Sequence, residues 1–260
     1  GMDVMIRKPV QDSEKWFEIP VVATNICDYD RSFGVEVDDK ASNAIEKKQY
    51  VVESNTVTIK AGERVAKFRM KGIYENIDKT DSLSVTFNLL AKDENVWDLY
   101  GTRTRVQMQK ACPFELSTFE GYCLLTSSFF SAYMTNTEHR LLQAERDKTE
   151  DNTIILHDFF YKNYDLKIKY DPSDPLKPFV EFDDQIIGST AEAFGTIYGN
   201  GKLMCTQPVA YDSYYNVCQK FVFLYSTIYV VGKGTVGTYV NILEWISDEE
   251  AEQYKKEEGL

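Results

Sequence analysis

Residues 83–89 read Leu83-Ser84-Val85-Thr86-Phe87-Asn88-Leu89, with every odd position apolar and every even one polar. A side-chain period of two puts the apolar set on one face of an extended strand and the polar set on the other. One buried face and one wet face is the requirement of an antiparallel sandwich strand. The same period recurs on either side of this stretch. Phe17, Ile19, Val21 and Ala23 share a face in a segment that carries Pro20, which suits a sheet edge. Phe33, Val35 and Val37 alternate with Ser32, Gly34 and Glu36. Val57-Thr58-Ile59 leads through the Ala61-Gly62 turn to Ala66, Phe68 and Met70, which alternate with Lys67 and Arg69. The segment 102–108 supplies a last strand. About seven short, turn-punctuated strands predict an immunoglobulin-like β-sandwich.

The alternation stops near Gln109-Lys110-Ala111-Cys112-Pro113. This places a boundary there, with a sandwich over 1–110 and a smaller β-rich domain, an antiparallel sandwich or barrel, over 111–260. In that second part Leu166, Ile168 and Tyr170 alternate with Lys167 and Lys169, ahead of the turn Asp171-Pro172-Ser173-Asp174-Pro175. Further strands are expected over 179–182, 196–198, 221–231 and 237–245, with a tight turn at Gly199-Asn200-Gly201. The stretch 139–148 has helical propensity but strand neighbours, and is read as a long strand. Ser247, with Glu250 three residues on, forms a capping box that opens a short charged C-terminal helix. The fold class is therefore all-β.

The 29 Lys+Arg against 41 Asp+Glu give a net charge of −12, a surface that repels phosphate backbones and argues against nucleic acid as a partner. No window reaches the roughly 20 apolar residues of a membrane span. Cys27, Cys112, Cys123, Cys205 and Cys218 form no CxxC pair, which removes zinc-ribbon spacing. They are read as free thiols, with Cys112/Cys123 and Cys205/Cys218 as alternative short-loop disulfides. With only His139 and His157, and no GxSxG, neither nucleophilic catalysis nor a transition-metal site is expected. Asp171/Asp174 and Asp183/Asp184 are the nearest carboxylate pairs for glycoside hydrolysis. The first sits in a proline turn and the second points to opposite faces, so no enzyme is expected and no cofactor is implied.

Phe17-Glu18-Ile19-Pro20-Val21, Asp30-Arg31, Val35-Glu36-Val37-Asp38, Ser42 to Glu46, Tyr50, Thr58 to Gly62 and Asp81-Ser82-Leu83 together resemble the N-terminal domain of a group of Bacteroidetes lipoproteins. That group carries Calx-beta-like, immunoglobulin-type domains of unknown function and is similar to proteins encoded beside polysaccharide-uptake systems. The resemblance covers roughly residues 4–108 and, more weakly, the second half. It implies an exported protein on the outer membrane, cell surface or periplasmic face. Any lipid anchor would lie upstream of Gly1. It also suggests a glycan or an envelope protein as partner. Calx-beta domains bind calcium through acidic loops, which draws attention to Asp28, Asp30, Asp38, Asp39, Asp78 and Asp81. The spacing here is read as solvated turns.

Glycan binding uses aromatic rings that stack on sugar faces, beside Asp, Asn or Gln that bond hydroxyls. Aromatics are 13% of this chain, with 17 Tyr and 15 Phe. Tyr211, Asp212, Tyr214, Tyr215 and Asn216, read as an inter-strand loop, are the first candidate site. Three tyrosines in five positions cannot all face one core. Trp97 and Tyr100 form a second cluster, and Tyr161, Asn163 and Tyr164 a third. The expectation is a non-catalytic, glycan- or glycoprotein-binding envelope lipoprotein. The alternatives are a structural assembly module or a calcium-stiffened adhesin.

Overall fold

A computed structural model describes residues 4–92 and 98–260. The chain divides into two compact units, Gly1–Cys112 and Pro113–Leu260. The second is the longer, and the fold is all-β throughout.

In the first unit the described residues form eight strands: β1 (Val4–Val10), β2 (Phe17–Val22), β3 (Arg31–Val37), β4 (Tyr50–Val52), β5 (Thr56–Ile59), β6 (Val65–Gly72), β7 (Ser82–Leu90) and β8 (Arg103–Lys110). They make a five-stranded sheet of order β1-β8-β7-β3-β5 and a three-stranded sheet of order β2-β6-β4. β1 runs parallel to β8 and the other pairs are antiparallel. Pro20 lies on β2, an edge strand whose one partner is β6, so its missing N–H breaks no ladder. The apolar faces meet in a core of Phe17, Phe68 and Met70 with Val85, Phe87 and Met108, beside a smaller cluster of Val21, Phe33, Val57 and Ile59. Phe68 and Phe87 touch edge to face at 4.9 Å.

One expectation for β7 fails. Ser84 and Thr86, on its supposedly wet face, are buried. β3 leaves β7 after Val37, and residues 38–44 take over the vacated edge. There the Thr86 N–H donates to Ser42 Oγ at 2.9 Å, the Ser84 N–H to Asn43 Oδ1 at 2.6 Å, and the Thr86 hydroxyl to the Ala41 carbonyl at 2.9 Å. Polar residues are tolerated there because each has a partner.

The second unit holds β9 (Gly121–Ser127), β10 (Arg140–Arg146), β11 (Thr153–Leu156), β12 (Leu166–Asp171), β13 (Phe179–Glu181), β14 (Gln185–Ser189), β15 (Lys202–Thr206), β16 (Ser213–Asn216), β17 (Phe221–Val230) and β18 (Gly234–Trp245). Eight of them close an antiparallel barrel in the order β9-β10-β11-β12-β13-β16-β17-β18, with β18 pairing back onto β9. The ten-residue β17 serves two neighbours along one edge. Its first half pairs with β16 (Tyr214↔Phe223) and its second half with β15 (Cys205↔Ile228), from which β14 extends. Short helices α1 (Ser128–Tyr133) and α2 (Thr190–Phe194) follow β9 and β14, and α3 (Asp248–Glu257) ends the chain. Ser247 caps α3 as the sequence predicts, accepting from the Glu250 N–H at 3.1 Å. Residues 196–198 do not form the expected strand; they belong to the turn region between α2 and β15.

Inward side chains fill the barrel, as they do in small barrels. Leu125, Ile154, Ile168, Val222, Leu224 and Leu243 are fully buried there. Within this interior Asn241 donates to the Leu224 carbonyl (3.0 Å) and to Ser226 Oγ (2.9 Å), and accepts from Ser127 Oγ (2.6 Å). Cys27, Cys123 and Cys205 are free thiols, so neither short-loop disulfide closes, but Cys112 and Cys218 are disulfide-bonded, against the expectation of free thiols there. Burial pushes the Cys205 thiol up to about 12, which leaves it unreactive.

Candidate functional site: an aromatic outer face on the barrel

β17 has the sequence FVFLYSTIYV, and its even positions are buried while its odd positions are half-buried. Alternation therefore aims Val222, Leu224, Ser226, Ile228 and Val230 into the barrel and Phe221, Phe223, Tyr225, Thr227 and Tyr229 outward. An outward strand face is usually polar. This one carries four aromatics.

The neighbouring strands continue the face. On β16, Ser213 and Tyr215 point inward while Tyr214 is 37% exposed. Tyr214 opposes Phe223 across the ladder, and their rings lie 5.4 Å apart at an interplanar angle of 7°. On β13, Phe179 opposes Tyr214 from the other side and is 36% exposed. Tyr211 precedes β16, is 53% exposed and stacks on Tyr225 at 4.9 Å and 22°. Phe223 and Tyr225 are in turn 5.2 Å apart. Offset-stacked rings at these distances hold one another rigid. Tyr211 thus presents a ring backed on one side by Tyr225. On β18 the face passes to Val240 and Ile242, both half-buried, which pair with Tyr225 and Phe223.

Polar groups border this apolar area. Asp212 is exposed beside Tyr211. Asn216 accepts from the Gln219 N–H at 2.8 Å, which fixes the turn into β17. Glu244, exposed, opposes Phe221. Beyond Tyr225, the Thr227 and Thr238 hydroxyls bond each other at 2.8 Å. Tyr229 donates to Asp184 at 2.8 Å, and Thr206 donates to the same carboxylate at 2.5 Å. The Asp184 partner raises the Tyr229 phenol above its ordinary value.

Of the residues that the sequence nominates, Tyr211, Asp212, Tyr214 and Asn216 fall on or beside this face. Tyr215 does not. It lies on strand rather than loop and points into the barrel, 5% exposed. Its hydroxyl donates to the Asp171 carbonyl at 3.1 Å, and its ring packs against Phe114, Tyr170 and Phe119. Burial pushes its phenol up to about 12. Trp97 lies outside the described residues. Tyr100 is 71% exposed at the rim of a cleft of about 190 Å³ in the sandwich, walled by Ile19, Val21, Phe68 and Leu89. That volume is below the usual range for small-molecule sites. Tyr161, Asn163 and Tyr164 serve their own loop: Asn163 N–H donates to Asp158 Oδ1 at 2.6 Å, Phe159 N–H to the Tyr164 carbonyl at 2.9 Å, and Tyr161 packs on Phe129.

Phe179, Phe221, Phe223 and Tyr225 are not among the nominated residues. For Phe221, Phe223 and Tyr225 the signal is the alternation of β17 itself, whose outward positions are aromatic except Thr227 and whose inward positions are aliphatic except Ser226; Phe179 on β13 carries no such signal.

Four of the nominated acidic residues, Asp30, Asp38, Asp171 and Asp174, are committed to structure. Asp38 caps a short 3-10 turn and pairs with Arg103 at 2.7 Å; Asp30 accepts from the Ala61 N–H at 2.8 Å. Asp171 and Asp174 accept from the Ser173 and Leu176 N–H groups of their own turns. Among the described residues, no three His, Cys, Asp or Glu side chains converge to hold a metal ion. No helix among them is long and apolar enough to cross a membrane.

Residues 99–257 match the family described as a domain of unknown function, DUF4984, and the chain belongs to that family. Among solved structures the chain is similar to an auxiliary nutrient binding protein from Bacteroides thetaiotaomicron, at 10% identity and a TM-score of 0.34 over 93% of this chain and 90% of that one. It is similar also to a provisionally assigned carbohydrate binding protein from Bacteroides ovatus, at 12% identity and a TM-score of 0.33 over 92% and 73%. The calcium binding domain CBD12 of CALX1.1 is similar at 13% identity and a TM-score of 0.36 over 59% and 76%. No curated protein matches the sequence.

Proposed function

We propose that this protein is a non-catalytic glycan-binding protein of the bacterial envelope and that its barrel binds sugar through the aromatic face of β13, β16 and β17. The supporting observation is the contiguous outward set Phe179, Tyr211, Tyr214, Phe223 and Tyr225. A monomeric soluble domain has no structural need for such a patch, and large exposed apolar patches mark interaction sites. Rigid aromatic surface beside hydrogen-bonding groups suits the alternating C–H faces and hydroxyls of a pyranose. Asp212, Asn216 and Glu244 supply the acceptors. The setting, an exported, lipid-tethered protein, is what the resemblance to Bacteroidetes lipoproteins implies.

The test is a glycan array followed by calorimetric titration of each hit. Binding is expected and should fall roughly tenfold or more in Tyr214→Ala and Phe223→Ala, as for a buried hot-spot aromatic. Undiminished binding in both variants would move the site elsewhere, and no binding to plant, mucin or microbial glycans would refute the reading.

A further inference from the structure

The cross-strand register sets the outward residues in line. Phe179 opposes Tyr214, Tyr214 opposes Phe223, Phe223 opposes Ile242, and Ile242 opposes Thr126. These five lie on five adjacent strands, β13, β16, β17, β18 and β9, in a row perpendicular to them. With neighbouring strands about 4.8 Å apart, four gaps make a strip about 19 Å long. A second row, Tyr211 stacked on Tyr225 and then Val240, runs beside it. Polar pairs bound the band on both sides: Asn216 and Glu244 flank Phe221, and Thr227 bonds Thr238.

We infer that the face binds a linear, uncharged glycan chain laid across the strands, rather than a terminal sugar. This rests on the glycan reading above and specifies its substrate class. The aspect ratio carries the first part, since a strip several strands long and two side chains wide exceeds any single pyranose ring. Its charge carries the second. The band itself holds no Lys or Arg that could pair with a uronate or sulfate, and carboxylates border it: Asp171 opposes Phe179, Glu244 opposes Phe221, and Asp212 follows Tyr211. Those accept from sugar hydroxyls and repel anionic polymers. The row is also solid: the inner faces of these strands are filled core, so a chain lies on the surface and does not thread the barrel.

The experiment is a length series on the whole chain, using malto-, cello-, xylo- and manno-oligosaccharides from disaccharide to hexasaccharide with their parent polysaccharides, and polygalacturonate as the anionic probe. For the series that binds, the hexasaccharide is expected to bind roughly tenfold or more tighter than the disaccharide. Phe179→Ala, at one end of the row, and Ile242→Ser, next to the other end, should weaken the hexasaccharide far more than the disaccharide. Phe223→Ala, at its centre, should weaken both. Equal affinity across lengths, with Phe179→Ala and Ile242→Ser neutral, would overturn the chain proposal and leave glycan binding standing. Polygalacturonate binding as tightly as the neutral polymers would overturn the uncharged class. No binding to any probe would overturn the glycan reading together with the chain proposal. The length series needs no mutation, so a misfolded variant cannot obscure it.

Discussion

β7 in the sandwich and β17 in the barrel each set one residue type against another across the strand, and their faces away from the main core have opposite outcomes. In β7 the polar set Ser84 and Thr86 is buried beneath residues 38–44. In β17 the set opposite the core is aromatic and half-exposed. Alternation states which residues share a face. It does not state which face meets water, because that is decided by what a distant segment does. For β7 the 38–44 segment follows a different strand and lies some forty positions away, whereas nothing among the described residues covers Tyr211 and Tyr214 on the barrel. The comparison separates a covered polar face, held by hydrogen bonds, from an open aromatic one available for recognition.

The sharpest way to break this contrast lies within β17. Leu224 points inward and is fully buried, so Leu224→Ala leaves a cavity and should cost about 2–5 kcal/mol. Phe223, one residue away, loses its stacking with Tyr214 and partial burial on mutation to Ala, about 0.5–1.5 kcal/mol for the ring contact. Urea unfolding midpoints with unchanged slopes measure both. Equal losses would mean that the outer face is as covered as the inner one. The buried Asn241 gives an intermediate case. Asn241→Ala strands Ser127, Ser226 and the Leu224 carbonyl, and should cost about 1–3 kcal/mol by the same measurement.

Legibility in the sequence followed the same division. The strands with a clean apolar set on one side, β2, β3, β6, β7 and β12, are visible because burial alone dictates their pattern. The capping box at Ser247 is visible because its chemistry is local. The β9 and β11 segments are not, since their apolar residues gain meaning only once the barrel closes through the β9–β18 pairing, and β14 and β15 gain theirs only by extending from the second half of β17. The site was half legible for the same reason. Three tyrosines within 211–216 signal that some must face out, and Tyr211 and Tyr214 do. Which one turns inward depends on where β16 joins β13 and β17, and that register puts Tyr215 inside. Phe223 and Phe179 become part of the surface only through pairing with residues 9 and 35 positions from Tyr214.

Matched hydroxyl deletions test the two faces from the polar side. Thr86→Ala removes the donor to a covered Ala41 carbonyl and should cost about 1–3 kcal/mol, while Thr227→Ala breaks an exposed Thr–Thr bond and should cost under about 0.5 kcal/mol. If the two match, residues 38–44 do not seal the β7 face.

The smallest effect expected is a pH dependence of that seal. Asp38 sits where the covering segment leaves β3, and its carboxylate bonds Arg103 on β8. The Arg103 hydrogen bond outweighs desolvation and holds the Asp38 carboxyl below its ordinary value of 3.8. A carboxylate depressed in the folded state stabilises fully above its unfolded pKa, and the contribution fades as pH falls through 3.8 toward the lower folded value. The stability difference between the native chain and Asp38→Asn should therefore be constant at neutral pH and shrink only below about pH 4. Added salt should also reduce it, because both partners are partly exposed. A difference that persists undiminished at pH 3 would show that Asp38 acts only as the cap of the 3-10 turn, which an amide also serves, and that the ion pair contributes nothing to the cover.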